Sequence, residues 1–301
     1  KVKDAIEHIR HTGDDSEAIY TCYVIDARRV LEGVVTVKEL LLAKDDTLVS
    51  DLMERDVISV GTLEDQEEVT RVMSKYDLLS LPVVDNEKRL VGIVTVDDAM
   101  DVMEQEATED FEAMSGIHPS EKTYLKTSVF EMSKNRILWL LVLMVSGMIT
   151  GGILSNFEAA ISALPLLVTF IPMLTDTGGN AGSQSSTMII RGLATGDLTI
   201  RDLPRVLWKE MRVALMVGSV LSVVNFLRIG IQYGDWMIAL VVALTMMCTV
   251  IMAKVIGGIL PLLANALHID PAIMAAPLIT TIVDACSLMI FFGISVALLP
   301  V

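Results

Sequence analysis

The chain has 301 residues, 52% of them hydrophobic, and 38 acidic against 23 basic side chains give it a net charge of −15. That acidity argues against a nucleic-acid partner and suits a cation, or serves only to keep a domain soluble. The averages join two unlike halves: Lys1 to about Lys134 is charged and mostly acidic, and Ile137 to Val301 is mostly apolar, so the chain reads as a soluble part followed by a part for the lipid bilayer.

Three cysteines, Cys22, Cys248 and Cys286, lie far apart without a CxxC, giving neither a disulfide framework nor a zinc site. The first residues carry no initiator Met or signal peptide and read as the interior of a domain, so the chain is expected to be part of a longer product.

In the soluble half, VIDARRVLEGVVTVKEL at 24–40 aligns without gaps on VVDNEKRLVGIVTVDDA at 83–99, placing Asp26 on Asp85, Gly33 on Gly92 and Thr36 on Thr95. Each copy predicts strand, polar turn, strand and helix; between them come a short strand at Val57 to Val60 and an amphipathic helix from Gln66 to Tyr76. The pattern resembles a tandem pair of cystathionine-β-synthase (CBS) domains over roughly residues 1–105, the first copy lacking its opening strand and helix. In such pairs a Thr-x-x-Asp after the second strand often holds a nucleotide ribose. The matching residues are Thr36 with Glu39, one methylene longer, and Thr95 with Asp98; alternatively, the threonines simply cap the following helices.

VDDAMDVMEQEATEDFEAM follows, with carboxylates at Asp97, Asp98, Asp101, Glu104, Glu106, Glu109, Asp110 and Glu112. As a helix it places Asp97, Asp101 and Glu104 on one face and Glu106, Glu109 and Asp110 on another. Like charges at these spacings destabilise a helix, so either a cation binds here or the run is a solvated linker.

Five apolar segments are predicted in the second half, at about 137–154, 159–190, 213–229, 236–265 and 271–299. Lys122, Lys126, Lys134 and Arg136 precede the first, and Arg191, Arg201, Arg205, Lys209 and Arg212 fill the loop after the second. By the positive-inside rule the soluble part is cytoplasmic and the C-terminus lies outside.

The second segment is interrupted by PMLTDTGGNAGSQSS. Its Gly178, Gly179 and Gly182, after Pro165 and Pro172, are expected to break the helix and free backbone carbonyls at membrane depth, where they must line a water-filled cavity. With Asn180, Ser183 and Gln184 these are the oxygen donors a hard cation requires. Close helix packing through small residues is the alternative, and it leaves Asp176, Asn180 and Gln184 unexplained.

In the fifth segment Asp270 and Pro271 read as a helix N-cap and first position, which puts Asp284 about 21 Å along a helix at about 1.5 Å per residue, near mid-membrane. An ionised carboxylate there needs a partner or water. Lys254 in the fourth segment is one partner; a transported cation is the other. Thr280, Thr281 and Ser287 lie within a turn of Asp284 and form a polar stripe.

PMLTDTGGNAGSQ, TTIVDACSL and an acidic helix after paired CBS domains together resemble the MgtE family of bacterial magnesium channels, over essentially the whole chain. The resemblance implies an α/β tandem CBS pair joined by an acidic connecting helix to an all-α membrane domain of five transmembrane helices. Its divisions fall at 1–45 (partial first CBS domain), 46–105 (second CBS domain), 106–134 (connecting helix) and 135–301 (pore domain). It implies a homodimer in the bacterial inner membrane, not an enzyme, passing Mg²⁺ between the second and fifth helices of both copies. The central pore carboxylate falls on Asp284, with Gly179, Asn180 and Ser183 at matching second-helix positions; the family has Asn where this chain has Ser183. Thr280 and Asp270 complete the candidate pore set. Cytosolic Mg²⁺ sensor positions fall on Asp65, Glu67, Asp98, Asp101, Glu106, Glu109 and Asp110, and ATP is the nucleotide expected at Thr36, Glu39 and Thr95. The family's amino-terminal helical domain is not represented in these residues.

Asp284 alone also suits an ion-coupled secondary transporter, and the CBS pair suits a membrane-anchored nucleotide sensor. An enzyme is disfavoured, because His8, His11, His118 and His268 are scattered and no Walker motif is present.

Overall fold

In the computed structural model, which describes residues 1–13, 18–120, 122 and 124–300, the chain divides into two units, Lys1–Thr108 and Glu109–Val301.

The first unit is built twice over. Strands β1 (Thr21–Ile25) and β2 (Leu31–Thr36) pair antiparallel, followed by helices α2 (Val37–Leu42) and α3 (Val49–Leu52). In the second copy β3 (Val60–Gly61) runs parallel to β4 (Ser80–Val84), which pairs antiparallel with β5 (Leu90–Thr95); α4 (Gln66–Lys75) lies between β3 and β4, and α5 (Val96–Met114) follows β5. Aligned residues do the same work in both hairpins. Asp26 Oδ1 accepts from the N–H groups of Arg28 and Val30, and Asp85 Oδ1 from those of Glu87 and Arg89, while the matching Arg29 and Lys88 take left-handed φ of 67° and 58°. The two turns also bond to each other, Leu31 N–H to Lys88 O and Leu90 N–H to Arg29 O.

Contrary to expectation, the first copy does have an opening helix: α1 (Val2–Thr12) carries Val2 into a small core with Val35, Leu40 and Met53. Its apolar face is thin in the sequence, because most of the helix is polar and Val2 is its one fully buried residue. Val49, Leu52 and Met53, from the second copy's opening residues, pack on this first core, and Val34 bridges to Glu54. The second core gathers Val60, Met73, Leu81 and Ala99.

The second unit is helical. It holds α6 (Val129–Asn156), α7 (Glu158–Ala163), a 3₁₀ segment Pro165–Phe170, α8 (Ile171–Ala194), α9 (Leu203–Tyr233), α10 (Trp236–Ala266), a 3₁₀ turn Pro271–Met274 and α11 (Ala276–Leu298). Helix α10 is apolar around its circumference and packs against α8, α9 and α11, as a helix without a polar face must. Its Val242, Met246 and Val250 meet Leu174, Ile279, Val283, Phe291 and Phe292 in one core.

Among the described residues four helices are long and apolar enough to cross a membrane: Val129–Asn156, Ile200–Tyr233, Trp236–Ala266 and Pro271–Leu298. The second of the five expected segments is not among them, because α8 carries the polar run and the chain before it is split between α7 and the 3₁₀ segment. The expected connecting helix 106–134 is likewise not one helix. Its first part is the end of α5, its last part opens α6, and a turned segment with Gly116 at φ 69° separates them.

Candidate functional site

Helix α8 passes unbroken through Gly178, Gly179 and Gly182, so the expected break is absent and their carbonyls are not freed. The glycines serve close packing instead. A side-chain carbon added at Gly178 would lie 2.5 Å from Thr249 Cγ2 and one at Gly182 2.7 Å from Ile279 Cγ2, while at Gly179 it would come to 3.0 Å from Thr280 Cγ2. The buried glycine face leaves the opposite face open. Asp176, Asn180, Gln184, Thr187 and Arg191 are exposed there and, at spacings of four, four, three and four, form one polar stripe.

Beside that stripe, α11 presents Asp284. Its helix starts at Ala276, because the Pro271–Met274 turn ends at the extended Ala275, so Asp284 sits about 12 Å into α11 at about 1.5 Å per residue rather than the expected 21 Å. Asp284 is half-buried, and Asp176 is the neighbouring charge that acts on it. Lys254 is not its partner: the ammonium bonds Ser185 Oγ at 3.1 Å and pairs with Glu210 at 3.8 Å. Among the described residues no ion pair includes Asp284.

The other pore candidates divide. Half-buried Thr280 and Thr281 each donate a hydroxyl to Pro277 O at 3.0 Å, and half-buried Ser183 donates to Gly179 O at 2.8 Å. Ser287, expected on the polar stripe, is fully buried and turned to Gly178 instead. Asp270 is an N-cap, accepting from Ala272 N–H at 2.8 Å, and stands apart from Asp284 at the far side of the Pro271–Met274 turn.

Several of the expected sensor carboxylates serve structural roles within the chain. Asp65 caps α4 by accepting from Glu67 N–H, Glu67 pairs with Arg71 at 3.1 Å, and Asp98 accepts from Thr95 Oγ1 at 2.8 Å. Gln66 donates to Glu106 at 2.6 Å, which brings the start of α4 to α5. Asp101 and Glu109 are exposed on α5, and Asp110 is half-buried. Among the described residues no three His, Cys, Asp or Glu converge as a metal site. A cavity of about 330 Å³ lies here, lined in part by Val60, Gly61, Gln66, Val83, Asp98 and Ala99.

In the first copy the nucleotide candidates form a capping box: Thr36 Oγ1 accepts from Glu39 N–H, and Glu39 Oε2 accepts from Thr36 N–H and its hydroxyl, both at 2.7 Å. Those bonds hold the exposed Glu39 carboxyl below the usual carboxylate range. In the second copy Thr95 is buried and Asp98 borders the cavity.

Two features escaped sequence reasoning. Glu210 was hidden among Arg205, Lys209 and Arg212 in what read as a basic loop, yet it lies in α9. The end of α5 packs Ala113 and Met114 against Ile190 of α8 and against Ala272 and Ala275 before α11; the apolar pair closing an acidic run was the available signal.

The membrane half carries the motif of a known family: its model, described as a divalent cation transporter, matches residues 171–294, and a CBS-domain model matches 49–105. The magnesium transporter MgtE of Thermus thermophilus is 41% identical over 300 residues, covering 99% of this chain and 66% of that protein. This chain belongs to the MgtE family. MgtE of Bacillus subtilis is 38% identical over 296 residues, 98% of this chain and 65% of that protein. The chain thus spans slightly less than two thirds of the length of these MgtE relatives. Among solved structures, the soluble part of a magnesium transporter matches at 42% identity over 35% of this chain and 41% of that one, with a TM-score of 0.35. The cytosolic domain of the Mg²⁺ channel MgtE in complex with ATP matches at 46% identity over 34% of this chain and 41% of that one, with a TM-score of 0.33.

Proposed function

We infer that this chain forms the membrane path and cytosolic sensor of a Mg²⁺ channel in the bacterial inner membrane. Asp284 carries the inference: a half-buried carboxylate on an apolar helix, with an acidic neighbour and no basic partner among the described residues, beside the polar stripe of α8. An apolar helix bundle tolerates that arrangement where a hydrated cation fills it. Mg²⁺ gives up its water reluctantly, so one carboxylate from each of two copies, with Asn180 and Ser183 on the neighbouring α8, suits a cation held through its hydration shell. A two-fold pair of chains turns both polar stripes inward and gives five membrane segments per copy, with α8 as the pore-lining segment that is too polar to face lipid.

Cytosolic Mg²⁺ closes the path by binding the carboxylates of α4 and α5. Within one protomer these do not converge, so their sites are completed by the second copy. The contact of Ala113 and Met114 with Ile190 of α8 and with Ala272 and Ala275 ahead of α11 ties the end of α5 to the path helices. A nucleotide such as ATP is assigned to the second copy, where Asp98 borders the cavity.

Proteoliposomes holding the chain test this with a Mg²⁺ gradient as the only driving force. Influx without a proton or sodium gradient, reduced by millimolar Mg²⁺ on the cytosolic side, is the expected result. Influx that requires a coupling gradient establishes the secondary transporter instead.

A further inference from the structure

Lys254 is 4% exposed, on a 31-residue apolar helix. Its ammonium donates to Ser185 Oγ at 3.1 Å and reaches Ala181 O at 3.5 Å. Ser185 donates in turn to Glu210 Oε2 at 2.6 Å, and Glu210 closes the ring as the ion-pair partner of Lys254 at 3.8 Å. The donors run one way, from α10 through α8 to α9. The helices are tight here: a side-chain carbon on Gly257 would collide with Gly182 O, and one on Gly258 would lie 3.5 Å from Glu210 Cγ. Ala181 and Ser185 each follow directly on a residue of the polar stripe, Asn180 and Gln184, but are themselves buried on the side facing this ring.

A buried ion pair is weak evidence for stability, since desolvation offsets the attraction and apolar side chains would fill the space as well. What the pair does achieve is a fixed attachment of α8. Resting on the reading that the α8 stripe lines a cation path, we propose that Lys254 and Glu210 are positioning residues of that path. Lys254 pins α8 through Ser185 and the Ala181 carbonyl, which sets the depth and rotation of Asn180 and Ser183 beside Asp284. Glu210 cancels the ammonium, so that the pin does not repel the permeating cation. Removing Glu210 alone leaves an unopposed positive charge behind a wall of low dielectric, where water does not screen it.

The test compares Glu210→Gln, Glu210→Asp, Lys254→Met and the double variant E210Q/K254M with the parent chain in proteoliposomes. Mg²⁺ influx per folded protein and the half-saturating Mg²⁺ concentration are read together with the thermal midpoint. E210Q should lose about tenfold or more in influx and require more Mg²⁺, because a unit charge left uncancelled behind a wall of low dielectric repels both charges of the cation. K254M should lose about threefold in influx through the lost pin, without E210Q's rise in the half-saturating Mg²⁺ concentration, and the double variant should recover to within about threefold of the parent, because neither holds an unopposed cation. A merely structural pair would instead lower the thermal midpoint and the influx together in both single variants, with no dependence on the sign of the charge removed. Influx by E210Q equal to the parent's, or a double variant no better than E210Q, overturns the proposal. E210D keeps the charge and serves if E210Q does not fold: it should stay within about threefold of the parent, and a tenfold loss there would overturn the role of the charge. No influx by the parent itself overturns the path reading, and this inference with it; an active parent with an unaffected E210Q overturns this inference alone.

Discussion

Thr36 and Glu39 show how one pair of residues admits two roles in a sequence and one set of bonds in a structure. Their capping box satisfies the N-terminus of α2, and losing such a cap costs about 1 kcal/mol. Thr36→Ala is therefore expected to lower the stability of the first unit by about that much near neutral pH, measured by urea unfolding of the intact chain. Glu39 is held below its ordinary range, so its contribution is present above its unfolded pKa of about 4.3 and is lost as pH falls through the lower folded value. The gap between parent and variant should accordingly narrow below about pH 4. A gap that is constant down to pH 2 would show that the carboxylate is not involved. Gly257 poses a steric question, since a side-chain carbon there would meet the backbone oxygen of Gly182, which cannot swing aside. Gly257→Ala should cost the membrane unit about 1–3 kcal/mol by overpacking, read as a lower thermal midpoint in detergent; an unchanged midpoint would mean that α8 and α10 are not held this closely. At this scale Asp284 was legible because a lone carboxylate in an apolar run has few explanations. Glu210 was not, because its sequence neighbours are basic and its partners are 25 and 44 residues away.

Helix α5 is the proposed sensor at the scale of an element. The two carboxylate faces expected from its spacing follow from a continuous helix over Val96–Met114. Like charges at these spacings loosen a helix until something cationic lies between them. Millimolar Mg²⁺ should therefore protect residues 97–112 from proteolysis more than Na⁺ of matched ionic strength does; equal cleavage in the two would argue against a specific site. Replacing Asp98, Asp101, Glu106, Glu109 and Asp110 by Asn or Gln should leave a path whose conductance no longer depends on cytosolic Mg²⁺, recorded from single channels across a Mg²⁺ titration. A gate moves only by the ligand's differential affinity for its two states, so an unaltered response would place the sensor elsewhere. The hairpin repeat was plain in the sequence because Asp26 and Asp85 build the same turn. The course of α8 was not: glycine spacing describes a broken helix and a closely packed one equally well, and only the partners Thr249, Ile279 and Thr280 distinguish them.

For the molecule as a whole, two kinds of surface remain to be covered. Leu138, Leu140, Leu141, Met144, Val145, Met148 and Ile149 of α6 are exposed, and apolar patches of that extent belong against lipid or another chain. The α8 stripe is polar and belongs against water. Under the proposed function, two copies that enclose the stripes and present α6 and α9 outward, with two Asp284 side chains facing one path, would meet both demands. The composition split announced the two units, whereas the pairing of copies is a proposal that rests on the family resemblance and on these uncovered faces. The most direct measurement is Mg²⁺ influx into proteoliposomes containing Asp284→Ala, with size-exclusion chromatography confirming that the variant assembles as the parent does. The expected result is influx no greater than in protein-free vesicles; uptake at the parent's rate would contradict the placement of Asp284 in the path.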